Sequence, residues 1–406
     1  MDILLNHTNT KTIGGKITIS GSKSESNRLL ILQKLYPALQ IENLSDSDDT
    51  KHLQSALQNL SDTIDIGHAG TAMRFLTAYY AIQPGKTTVL TGSKRMQERP
   101  IKVLINALKQ LDSSITYINN KGFPPLKIYG KEILKNKLSI QANVSSQYIS
   151  ALLLIAPKLK NGLELNLEGK ITSMPYLEMT LSLLQAIGIT TSFKDNSIKI
   201  ASQENILENK KITVEPDWSS ASYYYSLAAL QKNTKIELAG FRKNSLQGDS
   251  LLPSIYKNLG VTTSFSKDGI IIQSTPGFTA KKYLSFNLNK TPDLAQTIVV
   301  SCLGLGIDCY LTGLHTLVIK ETNRLEALKN ELEKLGASII LTDDSLKMEA
   351  PKTPGQNSSI KTYQDHRMAM AFAPLSVLVP ISIEDREVVS KSYPKFWEDW
   401  ERLFVK

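Results

Sequence analysis

Only two cysteines, Cys302 and Cys309, occur in 406 residues. Their spacing is neither CxxC nor a zinc pattern, so both read as reduced core thiols, and a cytoplasmic location is expected. Long apolar runs are missing as well, with no stretch near the ~18 residues of a membrane span. The start, MDILLNHTNT, has no basic segment followed by a long apolar one, so no signal peptide is expected. There is no GxxxxGK(S/T), which excludes a P-loop, and GSKSESN contains SKSE rather than the SxxK of a serine acyltransferase. His7, His52, His68, His315 and His366 show no HExxH or paired-ligand spacing, so neither a metal site nor a cofactor is read. The net charge is +9, yet there is no block of five or six basic residues and no regular aromatic interleaving. Small polyanionic substrates therefore fit that charge better than nucleic acid or a membrane surface.

What is present is a repeat. The stretches LLQAIGITTSFKDNSIKI, SIYKNLGVTTSFSKDGIII and ELEKLGASIILTDDSLKM each show a helical apolar pattern, a glycine, and two alternating strands around a polar turn. The helix-ending glycines, Gly188, Gly260 and Gly336, lie 72 and 76 residues apart, and Asp112 takes that place 76 residues before Gly188. A left-handed residue there would stop each helix. A second, more apolar helix family runs in step: SNRLLILQKL, AGTAMRFLTAYYA, SSQYISALLLIA, SSASYYYSLAAL, PDLAQTIVVSCLGL and DHRMAMAFAPLSVL. These should be the inner, buried helices. Six copies follow, three per domain, and the first is expected to lack a hairpin. Domains of 21–215 and of 1–20 plus 216–406 are expected, joined by a tight hinge because no Gly/Ser linker occurs. The strand within Lys11 to Ser20 is expected to complete the last copy.

Polar and charged groups gather at the helix starts of both families. GSKSESNRLL places Lys23 and Arg28 where a helix already carries partial positive charge. Taken alone, both a solvated, serine-capped start and an anion site fit that stretch. Stacked repeats would bring such ends together on one face of each domain. Two faces meeting across the hinge would form an active-site cleft lined by N–H groups and cations.

The ordered motifs GSKSESNR, LSDSDD, AGTAMR, RMQERPI, VSSQY, SMPY, DWSSASYY, NSLQGD, TPDLA, KETNRL, YQDHRMAM and KSYPKF resemble the 3-phosphoshikimate 1-carboxyvinyltransferase (EPSP synthase) family over essentially the whole chain. The resemblance implies an α/β fold, a two-domain inverse α/β barrel of six βαβαββ repeats. It implies transfer of the enolpyruvyl group of phosphoenolpyruvate to the 5-hydroxyl of 3-phosphoshikimate, a step of the shikimate pathway. By resemblance Lys23 touches both substrates. Ser24, Arg28, Ser145, Ser146, Ser173, Tyr176, Asp293 and Lys320 would bind 3-phosphoshikimate. Gly70, Arg99, Gln147, Arg324, Arg367 and Lys391 would bind phosphoenolpyruvate. Glyphosate sensitivity is implied through Gly70, and a monomer is expected.

The chemistry needs a base for a weakly nucleophilic alcohol and an acid for the enol methylene. Asp293 is the candidate base. Glu321 with Lys23 is the candidate proton donor, and the assignment between the two carboxylates stays open. Lys23, Arg99 and Lys391 would favour departing phosphate. The sequence departs from the family at His68, Thr316 and Asn323, where Asn, Asn and Asp are usual. Two rivals remain beside this reading. One is UDP-N-acetylglucosamine 1-carboxyvinyltransferase, which usually has a Cys just before the residue matching Arg99; SKRMQERP has none. The other is a basic RNA-binding or RNA-end-processing protein of related fold.

Overall fold

A computed structural model of the chain describes residues 1–206 and 209–404. Contacts divide it into two units, residues 1–20 with 215–406, and residues 21–214. Each unit has its own apolar core.

The repeat has one plan. In the 21–214 unit, strand Thr63–Asp65 leads through helix Gly70–Ala81 to the parallel strand Thr87–Thr91. Helix Lys102–Gln110 then leads to a hairpin, Ser114–Tyr117 and Leu126–Tyr129, whose second strand pairs antiparallel with Thr87–Thr91. The sheet that starts at Lys137–Gln141 repeats this order, as do two sheets of the other unit.

The two helix families differ as the sequence suggests. All twelve residues of Gly70–Ala81 are buried, as an apolar-all-round helix requires. Leu76 is wholly inaccessible, and Leu76→Ala would cost roughly 2–5 kcal/mol. The Lys102–Gln110 helix instead buries only Leu104, Ile105, Ala107 and Leu108, one face of two turns. Between inner helices of the other unit, small hydroxyls pair: Ser222 with Thr297 at 3.1 Å and Ser226 with Ser301 at 2.8 Å. That pairing lets buried polar groups sit at a close helix contact without an unmet donor.

The helix stops are as read. Gly188, Gly260 and Gly336 have φ of 92°, 81° and 91°, and Asp112 has 71°. Glycine meets that conformation without strain, and Asp tolerates it.

The incomplete copies explain one correction. The first copy has helices Lys23–Leu35 and Asp48–Gln58 but only a two-stranded sheet, with Gln40–Glu42 parallel to Lys211–Thr213, so its hairpin is absent. The strand just before helix Trp218–Leu230 is thus spent in the 21–214 unit. Its place is filled by Ile13–Ile17, which pairs parallel with Thr234–Ala239 in the fourth copy. It does not complete the last copy, as the sequence suggested. Ile3–Leu5 does that, antiparallel to Ile381–Ile383. Local alternation identifies a strand, whereas the vacated sheet edge selects its partner.

Candidate active site

In the 21–214 unit the chosen residues cluster at helix N-termini. Lys23 opens its helix, and its Nζ lies 3.0 Å from Oδ2 of the buried Asp49, in the first turn of the next helix, Asp48–Gln58. The Gly70–Ala81 helix has Ala69 at its N-cap and no side-chain cap bond, leaving its first N–H groups available. Arg99 lies against that end. A Cβ added to Gly70 would stand 2.6 Å from Arg99 Nη1, so a side chain there would push the guanidinium out of this position. Arg99 is 7% exposed, and its Nε has no partner among the described residues. A cation over a positive helix end is unfavourable unless an anion joins them.

Gln147 and the serines stand on neighbouring starts. Gln147 donates from Nε2 to Thr71 Oγ1 at 3.2 Å, which links two inner-helix starts. Ser145 caps the Ser146–Ile155 helix by accepting from the Gln147 N–H. Ser173 precedes Met174–Ala186 in a left-handed conformation, φ 55°, and is buried. Ser24 lies in the first turn of the Lys23 helix, and its carbonyl accepts from Arg28.

Arg28 is placed differently from a free phosphate ligand. Nε donates to Thr180 Oγ1 at 2.8 Å and Nη1 to the Ser24 carbonyl at 2.7 Å. Nη2 donates to Ser150 Oγ at 2.8 Å and to the Tyr176 carbonyl at 3.4 Å. Four of its five donors are therefore occupied, and one Nη1 N–H is left for a ligand. Phe75 and Tyr176 lie 5.5 and 5.7 Å from its guanidinium carbon. Burial pushes its ionisation down to about 10, so it stays charged at neutral pH.

The other unit gathers acids and bases in one network. Arg324 Nη1 reaches Asp293 Oδ1 at 2.8 Å, Nη2 reaches Glu321 Oε2 at 2.9 Å, and Nε reaches Asp365 Oδ2 at 2.7 Å. Asp293 also meets Lys320 at 3.4 Å and Arg367 at 3.3 Å, and Lys391 lies 3.6 Å from Glu321. Burial raises the Asp293 carboxyl, but Lys320, Arg367 and Arg324 outweigh it and hold the group well below the usual carboxylate range. Burial disfavours the Arg324 charge, and Asp365, Glu321 and Asp293 more than restore it. Arg324 and Asp365 are buried only because their opposite charges are buried together.

Sequence reasoning missed several members. Arg74 donates to the Gly70 carbonyl at 3.1 Å and to the Pro100 carbonyl at 3.2 Å, tying the Gly70 helix start to the Arg99 loop. Ser219 accepts from Arg367 Nη2 at 3.2 Å and donates to Asp249 Oδ2. Asp249 is 3% exposed, its Oδ1 has no partner among the described residues, and burial raises its carboxyl to about 7. All three lie inside motifs already quoted, AGTAMR, DWSSASYY and NSLQGD, which was the available signal.

The EPSP synthase (3-phosphoshikimate 1-carboxyvinyltransferase) family model matches residues 61–400. The 3-phosphoshikimate 1-carboxyvinyltransferase of Bacteroides fragilis (strain ATCC 25285) is 46% identical over 392 residues, 95% of this chain and 94% of that one. The protein of the same name from Actinobacillus pleuropneumoniae serotype 5b is 33% identical, with 96% of each chain covered. The chain belongs to the EPSP synthase family.

Solved structures agree on the fold. An EPSP synthase from Acinetobacter baumannii matches with a TM-score of 0.79 at 20% identity, covering 100% of this chain and 98% of that one. The enolpyruvyl transferase NikO from Streptomyces tendae matches at 0.75 and 13% identity, covering 99% and 97%. The EPSP synthase match disfavours both the UDP-N-acetylglucosamine and the RNA readings. The three departures take distinct places. His68 Nδ1 lies 2.9 Å from Ser93 Oγ, the N-cap of the short Lys94–Gln97 helix before Arg99. Asn323 caps helix Arg324–Lys334 by accepting from the Glu326 N–H, a task Asp would also perform. Thr316 is buried, and its Oγ1 has no partner among the described residues.

Proposed function

We propose that this enzyme transfers the enolpyruvyl group of phosphoenolpyruvate to the 5-hydroxyl of 3-phosphoshikimate, giving 5-enolpyruvylshikimate 3-phosphate and phosphate. One observation carries the reading: Arg324, Arg367, Lys320 and Lys391 converge on Asp293 and Glu321. Four cations around two acids suit a reaction whose substrates are anions and whose chemistry is proton transfer. Lys23, Ser24, Arg28, Ser145, Ser146, Ser173 and Tyr176 hold 3-phosphoshikimate, with Lys320 and Asp293. Gly70, Arg99, Gln147, Arg324, Arg367 and Lys391 hold phosphoenolpyruvate.

Charge exchange makes Asp293 a usable base. A strongly ionised carboxylate takes protons poorly. The phosphate and carboxylate of phosphoenolpyruvate draw Arg324 and Arg367 toward themselves. Asp293 then loses part of the field that holds it ionised, and its proton affinity rises. It takes the proton of the 5-hydroxyl as the oxygen attacks, while Glu321 or Lys23 protonates the enol methylene. Positive character builds at the carbon bearing phosphate. The oxygen bonds to that carbon, giving an adduct with a methyl group. Glu321 or Lys23 then takes one methyl proton back, and the enol double bond re-forms as the C–O bond to phosphate breaks. Phosphate leaves toward Lys23, Arg99 and Lys391, carrying the proton that Asp293 took.

The enzyme works as a cytoplasmic monomer in this reading, its positive charge serving small anions rather than nucleic acid. The deciding assay is inorganic phosphate release from phosphoenolpyruvate. Release that depends on 3-phosphoshikimate is expected. No release, or release that ignores the acceptor, would overturn the proposal.

A further inference from the structure

Tyr363 and Gln364 stand consecutively at φ 53° and 56°, a conformation that non-glycine residues rarely adopt. They lie between strand Ser358–Ile360 and helix His366–Phe372, directly before Asp365 and Arg367. Such a turn persists only where its surroundings over-determine it. The helix Arg324–Lys334 supplies that restraint at two points, two turns apart. Arg324 grips Asp365 through Nε at 2.7 Å and Nη2 at 3.3 Å. Glu331, wholly buried, accepts from Tyr363 O–H at 2.6 Å, from the Lys361 N–H at 3.1 Å and from Lys334 Nζ at 2.5 Å.

The turn ends at a site residue. Asp365 accepts from the Arg367 N–H at 2.9 Å, and Arg367 Nη2 reaches Asp293 Oδ2 at 3.3 Å. We infer that Glu331 is a positioning residue: through Tyr363 it holds the left-handed turn in the one setting that aims Arg367 at Asp293. Arg324 alone fixes only the far end of the segment. A turn free at 361–363 would pivot about Asp365 and carry the start of the Arg367 helix with it. The buried carboxylate is costly in itself, and three converging donors offset that cost. The inference rests on the proposed function, because it takes Arg367 to bind phosphoenolpyruvate.

The test is steady-state phosphate release by the full chain, with both substrates varied. Glu331→Gln keeps the size but turns an amide N–H toward Lys334 or the Lys361 N–H. It is expected to raise KM for phosphoenolpyruvate on the order of tenfold, since a small misplacement of a binding group is enough. The kcat and the KM for 3-phosphoshikimate should stay within about twofold. Tyr363→Phe removes one hydroxyl and should raise the same constant less, roughly threefold. It also carries the test if Glu331→Gln does not fold. An unchanged KM for phosphoenolpyruvate in folded Glu331→Gln and Tyr363→Phe would overturn the inference. So would a parallel rise of both KM values with a fall in kcat. An unsubstituted chain that shows no acceptor-dependent release would overturn the proposed function itself, and with it the role given to Arg367.

Discussion

The two units hold their cations by different means. In the 21–214 unit Arg28 is fixed by hydroxyls, carbonyls and ring faces, and Arg99 rests on the bare start of a helix. In the other unit Arg324 and Arg367 are fixed by carboxylates. Arg28 and Arg99 held in this way keep a positive field, which suits anion recognition, whereas Lys23 of the same unit is paired with Asp49. The second arrangement sets its cations directly against acids, so removing one member strands the others.

The largest contrast should come from paired arginine substitutions. Arg324→Ala leaves the buried Asp365 and the partly buried Asp293 and Glu321 without their shared partner and should lower stability by roughly 3–5 kcal/mol, with activity lost. Arg99→Ala strands no buried acid. It should melt near the parent temperature while raising KM for phosphoenolpyruvate on the order of a hundredfold. Calorimetry and kinetics on both variants check this; equal stability losses would erase the contrast. Gly70→Ala should come next. Its methyl displaces Arg99 Nη1, so KM for phosphoenolpyruvate should rise about tenfold with little change in melting.

Asp249 sharpens the comparison through pH. Unfolded, its carboxyl ionises near 3.8, whereas burial in the fold raises it to about 7. Its contribution to stability is therefore full below the lower value, falls as pH rises between the two, and is least above 7. Asp249→Asn removes that titration. The variant should melt several degrees above the parent at pH 8, and the gain should vanish by pH 4. A gain independent of pH would refute the assignment. The smallest effect is expected at His68. His68→Ala removes the contact with Ser93, and KM for phosphoenolpyruvate should rise about two- to threefold with kcat unchanged.

Much of the architecture was legible because it is locally encoded. Gly188, Gly260, Gly336 and Asp112 mark helix stops through their own backbone preference, so their regular spacing exposed the repeat. The apolar richness of Gly70–Ala81 likewise announced an inner helix. The exchange of Lys211–Thr213 and Ile13–Ile17 was not legible, because a strand pattern is silent about which edge it joins. In the candidate site the positions were legible and the partners were not. Arg28 read as a ligand contact, yet four of its donors serve the protein. Ser219, Asp249 and Glu331 escaped notice because a serine or an acid acquires meaning only from what it touches.

The amino-acid order alone determined the repeat, the two helix families and the charged helix starts, since turn preference, apolar period and charge belong to neighbouring residues. Folding decided which strand fills which sheet, which arginines are spoken for, and which carboxylates stay ionised. Those outcomes depend on burial and on distances between residues far apart in the chain, and no local pattern carries them.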